Sequence, residues 1–456
     1  MDALLSLLIN GGAFIIALGI LVTVHEFGHF WVARRCGVKV VRFSVGFGKP
    51  LFSFYRKGDP TEYVLAAIPL GGYVKMLDES EVEVADDEKP AAFNNQPLAS
   101  KILIVLAGPV LNLIFAFLIF WLILVVGEKG LKPIVGELDK NGVAIQAGLE
   151  SGDEITAVNG RSATIWRVAM GAITSGILDQ GSVDITVNKN DGRFEILTLD
   201  FFEQDMPEAN EIGKKLGIRP AIPQLKPLVD TVIKGGPADQ AGLKSGDLIV
   251  SSNGVLVSSW QEWVKVTRSH PNKLLMVNVE RAGHLMTLEL TPSLVNEGDQ
   301  TFGRIGVSVL LPKEVNDSDY SYYSLNPIAA VVEAARQTVQ YSWLTLKMIG
   351  QMIVGRASVD NLSGPISLAK YAGQSASIGI VPFLKFLAFV SISLGVLNLL
   401  PIPMLDGGHL LFYFIQAVRG KAVPESVQNI AMRVGVFVLM AVMLLALMLD
   451  LNRIAS

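Results

Sequence analysis

Two histidines four residues apart near the N-terminus are the strongest chemical signal in the sequence. In His25-Glu26-Phe27-Gly28-His29, helical spacing puts both imidazoles on one face, one turn apart, where both can bind one zinc ion. Glu26 lies beside the first histidine and can accept a proton from an attacking water. The motif falls inside an apolar segment, where ionisable side chains are costly and by default functional. An interhelical polar network or a proton path is the alternative interpretation.

A zinc hydrolase of this kind needs a third protein ligand and one open coordination position. Asp406 is the best candidate for the third ligand. It follows Pro401 and Pro403, which end helical hydrogen bonding, and precedes two glycines, which let the backbone approach a metal closely. His409 is the rival ligand and is ranked lower, because it begins an apolar run and can serve as a cap or a hydrogen-bonding group.

The elements that must position these residues are apolar and long enough to cross a membrane. Half of the 456 residues are hydrophobic and 18% are charged, which argues against a purely soluble enzyme. Roughly 20 apolar residues in a helix span the hydrocarbon core of a bilayer. Four segments are predicted to do so: residues 3–24, 102–126, 386–400 and 430–449.

Charge and cysteine content exclude further classes. The net charge of −4 is small and spread along the chain, so no basic surface for a nucleic-acid partner is expected. The single cysteine, Cys36, rules out an intrachain disulfide framework.

Lysines and arginines set the predicted orientation of the helices. They are concentrated between the first two helices, from Arg34 to Lys101, and recur at Arg419 and Lys421 between the last two. Both loops are therefore expected in the cytoplasm, and the segment 127–380 and both termini outside it. The two histidines and the aspartate then fall in the cytoplasmic third of the membrane, at matching depth.

The middle segment is a tandem repeat with an offset of 94 residues. Ala147-Gly148-Leu149 aligns with Ala241-Gly242-Leu243, and the Gly-Asp and Asn-Gly pairs that follow align as well. Each copy is predicted to be β-rich, with Asn-Gly in a tight hairpin turn. Each copy resembles the PDZ domain in the form common in bacterial proteases. Peptide capture by strand addition and exclusion of bulky substrates are both open as its role.

The predicted fold class is mixed: an α-helical membrane domain of four transmembrane helices with two inserted β-rich PDZ-like domains. The predicted boundaries are 1–35 for the first transmembrane helix, 36–100 for a cytoplasmic loop with a β-hairpin at 61–76, 101–127 for the second helix, 128–220 and 221–312 for the PDZ-like domains, 313–380 for an amphipathic helical linker, and 381–456 for the last two helices.

These features together resemble the site-2 protease family of intramembrane zinc metalloproteases. The resemblance rests on the histidine motif in a first membrane helix, the late Asn398-x-x-Pro-x-x-x-Leu-Asp-Gly sequence and the inserted modules, and it covers nearly the whole chain. It implies that Zn²⁺ is bound by His25, His29 and Asp406, with Glu26 as general base. One departure is Ser393, where relatives often carry asparagine.

The resemblance also implies that the hairpin at 61–76 is membrane-associated, with an ordinary surface hairpin as the alternative, and it implies how substrates are handled. Asn112 in the second helix, Asn398, and Gly71 and Gly72 in the predicted hairpin are the candidates for contacts with the substrate or the oxyanion. For Asn112, a plain hydrogen bond between helices is an equal alternative. The expected substrates are single-pass membrane proteins of the anti-sigma-factor type, already cut once outside the membrane, or remnant signal peptides.

The expected location is the inner membrane of a bacterium, with the lipid bilayer as a further partner. The PDZ-like domains are expected in the periplasm and the active site near the cytoplasmic face. Two other function classes fit parts of the sequence. A peptide-binding scaffold could hold a purely structural metal, and a metal or proton transporter could use intramembrane histidine and aspartate. Transporters usually repeat their membrane halves, whereas here the repeat lies outside the predicted spans.

Overall fold

A computed structural model describes residues 2–80, 82–201, 209–221, 225–297, 300–310, 317–355 and 363–455. The chain divides into two compact units. The membrane unit contains Met1–Glu128 and Ser324–Ser456, and the inserted unit contains Lys129–Tyr323.

In chain order the helices are α1 (Asp2–Arg35), α2 (Leu98–Val126), α3 (Val143–Gln146), α4 (Trp166–Gln180), α5 (Ala209–Leu216), α6 (Pro237–Gln240), α7 (Trp260–Arg268), α8 (Pro327–Ile353), α9 (Pro365–Ile378), α10 (Ile380–Leu399), α11 (Asp406–Arg419) and α12 (Glu425–Ala455). The strands are β1 (Val40–Tyr55), β2 (Glu62–Met76), β3 (Glu128–Leu131), β4 (Val135–Leu138), β5 (Glu154–Val158), β6 (Arg161–Ser162), β7 (Ser182–Asn188), β8 (Phe194–Asp200), β9 (Ile218–Pro220), β10 (Val229–Val232), β11 (Leu248–Ser252), β12 (Val255–Leu256), β13 (Leu275–Arg281), β14 (His284–Leu290), β15 (Ser293–Glu297), β16 (Gln300–Arg304), β17 (Val307–Val309) and β18 (Tyr320–Tyr323).

Four helices of the membrane unit are long and apolar enough to cross a membrane, among the residues that the structure describes. They cover Leu8–Arg35, Leu98–Val126, Ile380–Leu399 and Glu425–Arg453. This result confirms the four predicted spans. Three of these helices begin before their predicted apolar runs and the first continues past its run, because a helix extends into flanking polar residues once its central turns are formed.

Between α1 and α2, the strands β1 and β2 form one bent sheet. Residues 42–45 of β1 pair with 62–65 of β2 and also with 72–75 of β2, so the two halves of β2 flank the same segment. The prediction of a hairpin in which the two halves of 61–76 pair with each other is therefore wrong. Alternating apolar residues predict that a strand forms, but they do not specify which strand will be its partner.

Asp59 joins the C-terminal end of α1 to this sheet. Its carboxylate accepts hydrogen bonds from Arg34 (2.7 Å), the backbone N–H of Thr61 (3.0 Å) and the hydroxyl of Tyr63 (3.0 Å). Burial raises the pKa of Asp59, but the hydrogen bonds from Thr61, Arg34 and Tyr63 outweigh burial and lower the pKa from 3.8 to about 2. The fold therefore stabilises the charged form of this side chain.

Helices α8 and α9 are packed parts of the membrane unit. The ring of Tyr341 in α8 contacts Phe120 of α2 and Phe389 of α10, at centroid distances of 5.8 and 4.7 Å. At the start of α9, N–H groups including that of Ile366 (2.9 Å) donate to the buried carboxylate of Asp450 in α12. The segment 313–380, predicted to be amphipathic and helical, contains these two helices, and both pack on membrane helices. Its residues 313–316 and 356–362 lie outside the described part of the chain.

The inserted unit contains two modules with the same strand order. The first module (135–220) has the sheet β6-β5-β7-β8, and the second module (229–309) has the sheet β12-β11-β13-β14. Asn159 and Asn253 have φ values of 46° and 49°, and each precedes a glycine with positive φ. These are the conformations that an Asn-Gly hairpin turn requires. The sequence repeat is thus a structural repeat.

Each module buries the aspartate of its Gly-Asp pair against a basic residue. Asp153 pairs with Lys189 at 3.0 Å, and Asp247 pairs with Arg281 at 2.6 Å. Both aspartates are fully buried, and each also accepts a hydrogen bond from a nearby backbone N–H. A buried charge that loses its partner is strongly destabilising, so removing either basic residue is expected to destabilise its module.

The inserted unit begins and ends at paired strands. Strand β3 pairs with β18, and the N–H of Lys132 donates to the carbonyl of Asp319 at 2.9 Å. The chain therefore enters and leaves this unit at neighbouring points.

Candidate metal centre

The three predicted metal ligands converge. Asp406 Oδ2 lies 3.2 Å from His25 Nε2 and 3.5 Å from His29 Nε2, and the two Nε2 atoms are 3.3 Å apart. All three donor atoms lie within 4.8 Å of one another. Two imidazole nitrogens and a carboxylate oxygen are donors that zinc prefers, and three protein ligands leave the fourth corner of a tetrahedron open. The donor set fits a catalytic metal.

A short connection between α10 and α11 brings Asp406 to the histidines. Helix α10 ends at Leu399, and Asp406 is the first residue of α11. Pro401 and Pro403 lack the N–H groups that would continue α10. The N–H of Leu405 instead donates to the carbonyl of Ile402 at 3.0 Å, which closes a turn directly before the aspartate.

This connection is tight enough to strain the backbone. Met404 has a φ of 88°, a conformation that residues with side chains rarely adopt. A β-carbon at Gly407 would overlap the Leu400 carbonyl, and one at Gly408 would lie 2.5 Å from the Ile402 carbonyl oxygen. Strain of this kind persists only where the surrounding structure enforces it, and it is often found at functional sites. The two glycines are therefore required by the packing of the turn.

Helix α2 supplies none of the three ligands but packs directly against both rings. A β-carbon at Gly108 of α2 would overlap His29 Nε2 and lie 2.9 Å from His25 Cε1. On the facing side, a β-carbon at Gly28 of α1 would overlap the carbonyl oxygen of Ala107. Sequence reasoning missed both glycines, although small residues at the same depth of two membrane helices are a signal of close packing.

Helix α2 also contacts the other nitrogen of each ring. The Nδ1–H of His29 donates to the carbonyl oxygen of Ile104 at 2.8 Å. The side-chain amide of Asn112 lies 3.1 Å from His25 Nδ1, and Asn112 is fully buried. The prediction placed Asn112 near the depth of the metal site, and the structure brings it into contact with one of the predicted ligands. The role of the Ile104 carbonyl was not predicted, since every residue has a backbone carbonyl and the residue type does not indicate which one accepts a hydrogen bond.

A cavity of about 540 Å³ opens beside the three donor atoms. Glu26 lines it together with the ligands, as does Asn398, whose Nδ2 lies 3.4 Å from His25 Nε2. On the sheet side the wall is formed by residues 72–76 of β2. The site can thus place a reacting group between a carboxylate, an amide donor and the residues of a strand.

Some of the remaining predicted site residues line this cavity and others do not. Gly72 lines it, and a β-carbon there would lie 2.9 Å from Glu26 Cγ, so the glycine makes room for the carboxylate. Gly71 instead lies against the ring of Phe47. Gly71 and Asn112 are not among the described residues that line the cavity. His409 lines the cavity but is not part of the group of three donors, in agreement with its lower rank as a ligand.

Comparison with known proteins decides the family. The family model for peptidase family M50 matches residues 13–442. The chain belongs to peptidase family M50. Members similar to it include the regulator of sigma-E protease RseP of Salmonella typhimurium and that of Escherichia coli K12. Each is 42% identical over 99% of this chain and 100% of the relative.

A further relative, from Neisseria meningitidis and named as a zinc metalloprotease, is 44% identical over 97% of this chain and 98% of its own length. Family M50 membership and these full-length relatives make the chain a zinc metalloprotease of the site-2 type. The four apolar helices make it a membrane protein.

Proposed function

We propose that this enzyme hydrolyses peptide bonds within the transmembrane segments of single-pass membrane proteins. The observation that carries the proposal is the convergence of His25, His29 and Asp406 beside a cavity built on membrane-spanning helices. Relatives named regulators of sigma-E protease suggest an anti-sigma factor as substrate, cut first outside the membrane. Remnant signal peptides are further substrates of the same chemical class.

The proposed roles follow from the positions of the side chains. His25, His29 and Asp406 hold zinc, which when bound polarises the scissile carbonyl and acidifies a water molecule. Glu26 accepts the proton of the attacking water and passes it to the leaving amine. Asn398 points its amide into the cavity and donates a hydrogen bond to the developing oxyanion.

A helical substrate hides its carbonyl groups in its own hydrogen bonds, so it must be locally extended before cleavage. Residues 72–74 of β2 supply replacement partners. They line the cavity, and their pairs with β1 occupy one side of the strand. An unwound substrate can add as a strand beside them, which satisfies its backbone in a medium that contains little water.

The proposed location is the bacterial inner membrane with the metal centre near the cytoplasmic face. The loop that contains β1 and β2 is rich in lysine and arginine, which favours the cytoplasm. The inserted unit then lies in the periplasm. Its two modules are proposed to be PDZ-like, and their role is to exclude substrates that still carry a bulky external domain.

Two substitutions test the catalytic roles. Glu26→Gln should retain as much zinc as the unchanged protein and lose at least about 100-fold in turnover of a membrane-peptide substrate in detergent. Asp406→Ala should lose the zinc as well. Phe27→Leu is the matched control, because Phe27 lies on the same turn with its side chain half exposed, and it should keep both zinc and turnover. Normal turnover by Glu26→Gln would remove this residue from the role of base.

A deletion tests the exclusion of bulky substrates. Because Lys132 and Asp319 are hydrogen-bonded neighbours, residues 133–318 can be replaced by a short Gly-Ser turn without moving the ends. The shortened enzyme should cleave a substrate that has kept its external domain, which the complete enzyme rejects. Equal rejection by both would contradict the proposed role of the modules, while leaving the proteolytic chemistry intact.

A further inference from the structure

Asn112 faces His25 with its amide oriented so that the His25 tautomer it favours does not suit metal binding. As the structure has it, Asn112 Nδ2 lies 3.1 Å from His25 Nδ1, and Asn112 Oδ1 is buried without a hydrogen-bond partner. An amide N–H can only donate, so His25 Nδ1 would have to be the unprotonated nitrogen. Its proton would then sit on Nε2, the atom that faces Asp406 and His29.

Metal binding requires the opposite tautomer. A neutral imidazole that offers Nε2 to a metal carries its proton on Nδ1, and this N–H needs an acceptor. His29 already has this arrangement, since its Nδ1 donates to the Ile104 carbonyl oxygen at 2.8 Å. For His25, the acceptor within reach is the Asn112 side chain, turned by 180° so that Oδ1 replaces Nδ2.

We infer that Asn112 is a positioning residue for the metal centre: its side-chain oxygen accepts the Nδ1 proton of His25 and fixes the tautomer that directs Nε2 to zinc. The inference deepens the proposed function and rests on it. The turned amide does not add a hydrogen bond to the count. In the turned amide, Asn112 Oδ1 accepts the proton of His25 Nδ1. In the unturned amide, Asn112 Nδ2 faces Nδ1 instead, and two N–H groups would face each other once zinc binding places a proton on Nδ1.

The surroundings of Asn112 favour this role over contact with the substrate. The side chain is fully buried, and within the described part of the chain it does not line the cavity that Glu26 and Asn398 line. The hydroxyl of Ser391 donates to the backbone carbonyl of Asn112 at 2.8 Å, a contact that does not involve the side-chain amide. Helix α2 therefore holds both histidines through Nδ1, one by the backbone and one by a side chain.

The test compares the zinc affinity of three variants in the full-length protein, measured by competition with a chelating dye. Asn112→Leu removes the acceptor at similar volume and should weaken zinc binding by roughly 10- to 100-fold. Asn112→Asp keeps an acceptor oxygen toward Nδ1 and should bind zinc within a few-fold of the unchanged protein. Ser391→Ala removes a neighbouring contact to the same residue and should leave the affinity unchanged. The visible spectrum of the cobalt-substituted protein should change only in Asn112→Leu.

The outcomes separate this inference from the proposed function. Unchanged zinc affinity in Asn112→Leu would overturn the positioning role, and a loss confined to turnover would assign the residue to the substrate instead. If Asn112→Asp bound zinc as weakly as Asn112→Leu, the positioning role would also be overturned, because the affinity would then depend on packing and not on the acceptor oxygen. If the unchanged protein bound no zinc at all, the metal site itself and the proposed function would fail first.

Discussion

Gly28 of α1 faces Ala107 of α2 with no room for a side chain between them, since a β-carbon at Gly28 would overlap the Ala107 carbonyl oxygen. Three residues earlier and one residue later in α1 are the proposed metal ligands. The distance between the two helices at this crossing therefore decides whether α2 can reach the Nδ1 atoms of both rings.

Substituting Gly28 should separate the helices at the crossing. Gly28→Ala must displace backbone, so the free energy of unfolding should fall by about 1–3 kcal/mol and zinc affinity should fall with it. Gly19→Ala is the matched control in the same helix, because apart from its chain neighbours and its own helix backbone nothing lies within 4 Å of the added β-carbon. Thermal unfolding in detergent and dye competition would measure both effects. Equal behaviour of the two variants would show that the crossing is not tight.

The strained turn before Asp406 gives a second prediction. Met404→Val places a β-branched residue at a φ of 88° and should cost about 1–3 kcal/mol of stability, with weaker zinc binding, because the turn positions the carboxylate. Met404→Asn should be tolerated, since asparagine occupies positive φ several-fold more often than other side chains. Unfolding midpoints and zinc affinity for the pair would check this. If valine were tolerated as well as asparagine, the strain would have no role in placing Asp406.

The Asp59 anchor predicts a pH dependence. Its folded pKa of about 2 lies below the ordinary 3.8, so its contribution to stability is present above pH 3.8 and is lost as the pH falls toward 2. The Asp59→Asn variant lacks this contribution at every pH. The difference in unfolding midpoint between the two proteins should therefore be largest above about pH 5 and should close on acidification. A difference that stays constant down to pH 2 would contradict the assignment.

The buried ion pair of the second module predicts a large loss when it is broken. Arg281→Met leaves the fully buried carboxylate of Asp247 without its partner, which should destabilise the module by about 3–5 kcal/mol. Arg219→Met is the control, because its side chain is 65% exposed and its nearest carboxylate is 3.7 Å away; it should cost less than about 1 kcal/mol. Limited proteolysis of the full chain would report the difference. Similar protease resistance in both variants would show that the pair contributes little.

The grouping of His25, His29 and Asp406 was predictable from the sequence, because these residue types are the donors that zinc prefers. Histidines four apart specify their own relative geometry on a helix, and Asp406 could be matched to them by depth in the membrane although it lies far along the chain. The positions of the residues around these three side chains were harder to predict from the sequence. Whether Asn112 or Asn398 faces the cavity depends on the rotation of each helix about its axis, and a uniformly apolar membrane helix gives little periodicity from which to read that rotation.

Strand pairing was the main failure. The residues of 61–76 have the composition of strands, but their partners lie in 40–55, a segment whose exposed apolar residues include Leu51 and Phe52. Which strands pair depends on contacts between residues that are distant in sequence, and a local sequence pattern contains no information about such contacts. The packing partners of α8 were not predictable for a related reason, since an amphipathic pattern indicates that one face of a helix is covered without indicating by what.

The pairing of β3 with β18 has a consequence for how such enzymes can diversify. Since the two ends of the inserted unit are hydrogen-bonded neighbours, the distance between them does not depend on what folds between them. Lengthening a closed segment costs little, about 0.6 kcal/mol for each doubling. Whole modules between these two strands can therefore be gained, lost or exchanged while His25 and Asp406 keep their positions.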